Sequence, residues 1–148
     1  MNSDNHMQEL FDKVAKHLLT QREPAIAKDY TACRYRAPDG KSCAIGCLID
    51  DKHYKEDYEG VGVGSTSYCD DDRQELLRDS LEASLGFKLS GDDFALLGRL
   101  QSVHDLSLTY NAVEGYFLRE NFIEQWVSGL RQTARAFKLS DAAVTLHA

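Results

Sequence analysis

Cys33, Cys43, Cys47 and His53 carry the donor types that bind zinc, thiolate and imidazole, and they follow one another closely in the chain. Their spacing is not that of a zinc knuckle. Cys43-x-x-x-Cys47 stands where Cys-x-x-Cys would be needed, and Cys33 is set apart across a turn. Free cysteine also packs as a small hydrophobe. The pattern therefore favours buried thiols, with no metal or cofactor expected. If the run that follows is helical, Cys43 stands at its start, where the helix dipole would lower a thiol pKa. The bases a nucleophile would need, His53 or His104, have no fixed position relative to it in sequence. His104-Asp105 sets an imidazole beside a carboxylate late in an amphipathic stretch, where a local hydrogen-bonding role is the expectation.

Two further features suit anions. Arg34, Arg36 and Lys41 flank a turn and would bind an anion such as a nucleotide, or else pair with nearby acids. Gly60-x-Gly62-x-Gly64 has glycines that would let a backbone approach a phosphate. It lacks the Gly-x-Gly-x-x-Gly form and leads into no Lys-Ser/Thr pair, so a loop is expected there. The opposite charge dominates the molecule, with a formal net charge of -7. Acids crowd the middle of the chain, above all Asp70, Asp71 and Asp72. That balance disfavours direct nucleic-acid binding, which depends on Lys and Arg neutralising phosphates. It allows either a solvated face or a surface for a basic protein partner.

These residues must be positioned by mostly helical elements. Met7–Gln21 repeats apolar residues at helical spacing, with Leu10, Phe11, Val14, Leu18 and Leu19 on one face, and Pro24 follows its end. Pro38-Asp39-Gly40 predicts a tight turn between short strands, Cys33–Arg36 and Lys41–Cys43. The apolar run Cys43–Ile49 reads as a buried helical turn or a short buried strand, with Gly46 marking a close backbone approach. A short helix is expected near Asp51–Tyr54. Asp72–Leu85 is a second long helix stopped by Gly86, and Ser90-x-x-Asp93 has capping-box form, opening a third through about Leu106. Asn121–Phe137 is the last, with Phe122, Trp126, Leu130 and Phe137 inward. The expected fold is α+β and helix-rich, a single domain over residues 1–148 with helices packed around a small β-hairpin. Residues 1–6 and 141–148 are expected to fray. The polar start carries no signal-peptide pattern, and no apolar run approaches the ~20 residues of a membrane helix. A cytoplasmic protein with reduced cysteines, away from membranes, is the expectation.

The run Cys-x-Tyr-Arg-x-Pro-Asp-Gly-x-x-Cys-Ala-Ile-Gly-Cys-Leu-Ile, taken with Glu9–Ala15 and Leu100-Gln101-Ser102-Val103-His104-Asp105, resembles a group of small uncharacterised proteins of bacteriophages and bacterial genomes. The chain departs from that group at Asp50, where a proline is usual, and Tyr110–Glu120 looks like a local elaboration. The resemblance implies a phage or mobile-element setting and brings no assigned activity. His104-Asp105 is also similar to the metal-binding pair of the HD phosphohydrolases. Those enzymes need further histidine and aspartate ligands, and no motif around His17 or His53 supplies them. The function expected from size, acidity and resemblance is a non-catalytic interaction protein that binds and blocks a host protein, such as one of an antiviral defence system. A small-molecule or nucleotide binder, and a Cys/His zinc protein or hydrolase, are the alternatives.

Overall fold

The computed structural model describes residues 3–27, 33–59 and 72–148. Helix α1, Ser3–Gln21, is followed by α2, Asp72–Leu85, α3, Gly91–Asp105, the strands β1, Leu108–Asn111, and β2, Gly115–Leu118, then α4, Phe122–Ala136, and α5, Ala142–His147. Two single turns of 3-10 helix, Gly46–Leu48 and Glu56–Tyr58, lie between α1 and α2. The architecture is the helix-rich α+β expected from sequence.

Helix α1 is the central element. Its apolar face, Leu10, Phe11, Val14, Ala15 and Leu18, is completely buried and packs against α3 and α5. Each such leucine contributes roughly 2 kcal/mol of transfer free energy. The helix ends before Pro24, with Arg22 in the left-handed region at φ 56° and its N–H donating to the Leu18 carbonyl. Helix α3 begins with the expected capping box. The Ser90 hydroxyl accepts from the Asp93 N–H at 3.1 Å, and the Asp93 carboxylate accepts from the Ser90 N–H at 2.8 Å. Its Phe94, Leu97, Leu100 and Val103 enter the core, and α4 closes it with Trp126 and Leu130. The Gly86 stop after α2 holds as expected, at φ 85°.

The hairpin lies elsewhere than expected. The segment around Pro38-Asp39-Gly40 does turn, with Gly40 at φ 88°, yet it forms one isolated bridge, Arg36–Ser42, and no ladder. The facing segments share only the bonds of that bridge, and the Tyr35 N–H and the Ser42 carbonyl bond elsewhere. The Tyr35 N–H donates to Glu59, its carbonyl accepts from Cys43, and the Ser42 carbonyl is held by His17 and Gln21 of α1. The described two-stranded ladder is β1–β2, antiparallel, pairing Leu108 with Leu118 and Tyr110 with Tyr116. It occupies the stretch read as a local elaboration. Its Asn111 carboxamide oxygen accepts from the N–H groups of Val113 and Glu114, and Gly115 supplies the positive φ that closes the turn.

The run Cys43–Ile49 is a buried 3-10 turn, with Cys43, Ala44, Ile45, Leu48 and Ile49 all in the core. A Cβ on Gly46 would overlap the Tyr35 carbonyl, which explains the glycine. The expected short helix near Asp51–Tyr54 is a turn on the Asp50 carbonyl, with the 3-10 helix displaced to Glu56–Tyr58. The C-terminal residues, expected to fray, instead form α5, with Val144 fully buried. The helical start likewise reaches back to Ser3, inside the segment expected to fray. No helix among the described residues is long and apolar enough to cross a membrane.

Candidate functional site

The fold does not bring the four zinc-type residues together. Cys43 is completely buried and its sulfur accepts the Gly46 N–H at 3.3 Å, while the Cys47 thiol donates to the Ala44 carbonyl at 3.2 Å. Burial pushes the Cys43 thiol well up and the Cys47 thiol to about 12, so neither is a ready thiolate. At His53 the backbone carbonyl forms the contacts, accepting from the Ser80 and Tyr58 hydroxyls.

Cys33 instead meets the end of α3. Its sulfur, one imidazole nitrogen of His104 and a carboxylate oxygen of Asp105 all lie within 4.8 Å of one another. The hydrogen bonds decide what this trio can do. The Ala25 N–H donates to His104 Nε2 at 3.0 Å, so Nε2 carries a lone pair and the ring proton sits on Nδ1. Nδ1–H then donates to Asp105 Oδ1 at 3.1 Å. Nδ1 thus holds a proton and the Nε2 lone pair is taken by the Ala25 N–H, so neither nitrogen is free for a metal or for a thiol's proton. Burial first, then the Asp105 charge and a hydrogen bond to it, push the Cys33 thiol upward. Cys33 is a protonated donor to Asp105 and not an activated nucleophile. These contacts tie Ala25 and Cys33 to the end of α3, and Trp126 secures His104 by donating Nε1–H to its carbonyl at 3.1 Å.

The cations singled out in sequence are already engaged. Arg34 contacts Glu56 at 3.0 Å and Glu59 at 3.7 Å. Arg36 contacts Asp51 at 2.7 Å and lies 4.7 Å over the Tyr54 ring. Lys41 contacts Glu23 at 2.8 Å. Each has a carboxylate in the place an anionic ligand would take. Of the acids, Asp72 is exposed in the first turn of α2, where its charge complements the helix dipole. Asp70, Asp71 and the glycine loop lie outside the described residues.

A cavity of about 480 Å³ opens beside the trio, and sequence reasoning did not find it. One wall is Cys33, Arg34, Tyr35 and Glu59; the other is Gln101 and Asp105 of α3 with Thr109, Tyr110 and Tyr116 of the hairpin. Gln101 and Asp105 are one helical turn apart, and Gln101 Nε2 donates to Asp105 Oδ1 at 3.0 Å. That bond fixes the amide's orientation and leaves Gln101 Oε1 buried with no hydrogen-bond partner. The hairpin is anchored at its base by Arg119, whose N–H donates to the Ser107 carbonyl and whose Nε–H donates to that of Leu106. Beyond the base it projects: Tyr110 is 61%, Val113 94% and Tyr116 46% exposed, and the two tyrosine rings are 5.0 Å apart. The available signal was the β-favouring pair Leu108–Tyr110 and Tyr116–Leu118 around a loop that opens on Asn111 and closes on Gly115.

No protein-family model, no curated protein and no solved structure matches the chain.

Proposed function

We propose that this chain is a non-catalytic interaction protein that grips a basic protein surface with the β1–β2 hairpin and blocks it. A phage or mobile-element setting, the host cytoplasm, and a host target such as an antiviral-defence protein follow from the resemblance of the Cys33–Ile49 run and belong to the same proposal. The observation that carries the reading is the hairpin itself. It projects two tyrosines and a valine into solvent from a firmly anchored base, and exposed aromatic residues on a rigid element are the usual anchors of protein interfaces. The net charge of -7 would favour encounter with a basic partner. The His104 tautomer and the protonated Cys33 speak against the hydrolase and zinc alternatives at this site, and the paired Arg34 and Arg36 speak against a nucleotide. The test is capture from host lysate with the wild type and with a Tyr110→Ser, Val113→Ser, Tyr116→Ser variant whose circular dichroism is unchanged. A partner held by the wild type, lost by the variant and eluted by salt supports the proposal. Equal retention by both proteins, or capture of nothing, overturns it.

A further inference from the structure

The geometry points to the cavity between Cys33 and the hairpin as a receptor for an arginine side chain of the partner protein, an inference that rests on the interaction reading above. Arg34 and Glu59 line the cavity but answer each other, and Glu59 also accepts the N–H groups of Tyr35 and Arg36 and the Tyr54 hydroxyl. Asp105 is different. It is half-exposed, and its partners among the described residues are the neutral donors His104 Nδ1–H, Gln101 Nε2–H and the Cys33 thiol. One negative charge is therefore left uncompensated on the cavity wall. Gln101, on the same wall, adds an acceptor, Oε1, that no donor reaches.

The hairpin contributes an aromatic edge to the same cavity. The cation–π contacts made by the described residues are Arg36 over Tyr54 and Arg78 over Phe94, so the faces of Tyr110 and Tyr116 carry none. An uncompensated carboxylate and two tyrosine faces around one cavity, with the unpartnered Gln101 Oε1 buried in the wall beside the carboxylate, ask for a cation rich in donors. A guanidinium meets all three demands, because it stacks flat on an aromatic ring while donating in its own plane to several acceptors. An ammonium would satisfy the carboxylate but would not stack as a plane. The tyrosines of the hairpin make the cavity continuous with the proposed protein-binding surface, so the guanidinium is assigned to a partner's arginine side chain.

The test uses the full chain, labelled with 15N and 13C, and titrates it with N-acetyl-arginine amide and with its neutral isostere N-acetyl-citrulline amide. The arginine amide should shift the Gln101 side-chain amide and the Tyr110 and Tyr116 ring signals, and the citrulline amide should not. Asp105→Asn keeps an oxygen for the His104 and Gln101 donors while removing the charge, and should weaken the shifts roughly tenfold. Tyr116→Leu on the exposed hairpin, which leaves the core untouched, should weaken them as well. A 10-residue peptide carrying one arginine should bind more tightly than the amide, since it also lies along the hairpin; equal affinity would assign the site to free guanidinium compounds and overturn the partner assignment. Absence of shifts with arginine, or equal shifts with citrulline, overturns the guanidinium site. If the hairpin variant still loses its lysate partner in that case, the interaction reading stands without the arginine. If arginine binds and no protein is captured, the interaction reading falls and the guanidinium site stands.

Discussion

His17 shows how one side chain carries both structure and a measurable pH dependence. It lies on α1 and its ring nitrogen is 2.8 Å from the Ser42 carbonyl, a bond in which Nε2–H donates. Burial lowers its pKa from 6.5, and the Ser42 bond partly offsets that. The folded protein therefore holds His17 neutral at a pH where the unfolded chain already takes up a proton. The stability this contributes is complete above pH 6.5 and is lost as the pH falls from there through the lower folded pKa. Urea unfolding of the wild type should show stability declining over that window, and His17→Gln, which retains a donor for Ser42, should flatten the slope. Parallel slopes for the two proteins would refute the assignment. At this scale the core was legible, since Leu10, Phe11, Ile45 and Trp126 are apolar at regular spacings and are buried. The site was not. Gln101, Asp105, Tyr110 and Tyr116 come from a helix and a hairpin whose approach to Cys33 depends on chain packing, which residue spacing does not encode.

Elements were legible where local chemistry and packing agree. Helix α2 ends at Leu85 because Gly86 adopts a conformation an L side chain resists, and α3 starts where Ser90 and Asp93 can cap each other. The expected hairpin stops at one bridge because Glu59 takes the Tyr35 N–H and α1 takes the Ser42 carbonyl, while the Tyr35 carbonyl still accepts from Cys43 across the turn. What holds the Cys33–Arg36 segment in place is its contact with the 3-10 turn at Gly46, where backbone meets backbone. Gly46→Ala should force that contact apart and destabilise the protein by ~3 kcal/mol, measured by chemical denaturation. Because Cys43 N–H to Tyr35 O is part of the same junction, the variant should also expose the Cys43 thiol to alkylation in the native state. An alanine variant of wild-type stability, with Cys43 still protected, would show that the two segments are not coupled.

Across the whole molecule, the described chain closes on itself by joining α5 to α1. Gln8 of α1 accepts the Ser140 N–H at 2.9 Å and donates to the Ser140 carbonyl at 3.0 Å, and Arg131 of α4 meets Asp141 at 3.0 Å. Val144 then enters the core with no exposed surface. A six-residue helix is not stable by itself, so α5 exists through this docking and not through its own propensity. That is why the C-terminal sequence reads as a fraying end: Val144 and Leu146 stand two apart, which sets no helical periodicity, and the surface Val144 covers is supplied by another part of the chain. The docking also carries a prediction that separates an attached helix from a loose tail. Val144→Asp places an unpaired charge in an apolar site and should cost about 3 kcal/mol, lowering the melting temperature by roughly 6–12 °C. Leu146→Asp, on the exposed side of the same helix at 78% accessibility, should change stability by less than about 0.5 kcal/mol. Amide exchange should report the same difference. The Val144 variant should lose protection along α1 near Gln8, and the Leu146 variant should keep it. If both variants melt like the wild type, α5 does not close the core, and α1 would have to be held by α3, α4 and the 3-10 turn at Gly46–Leu48.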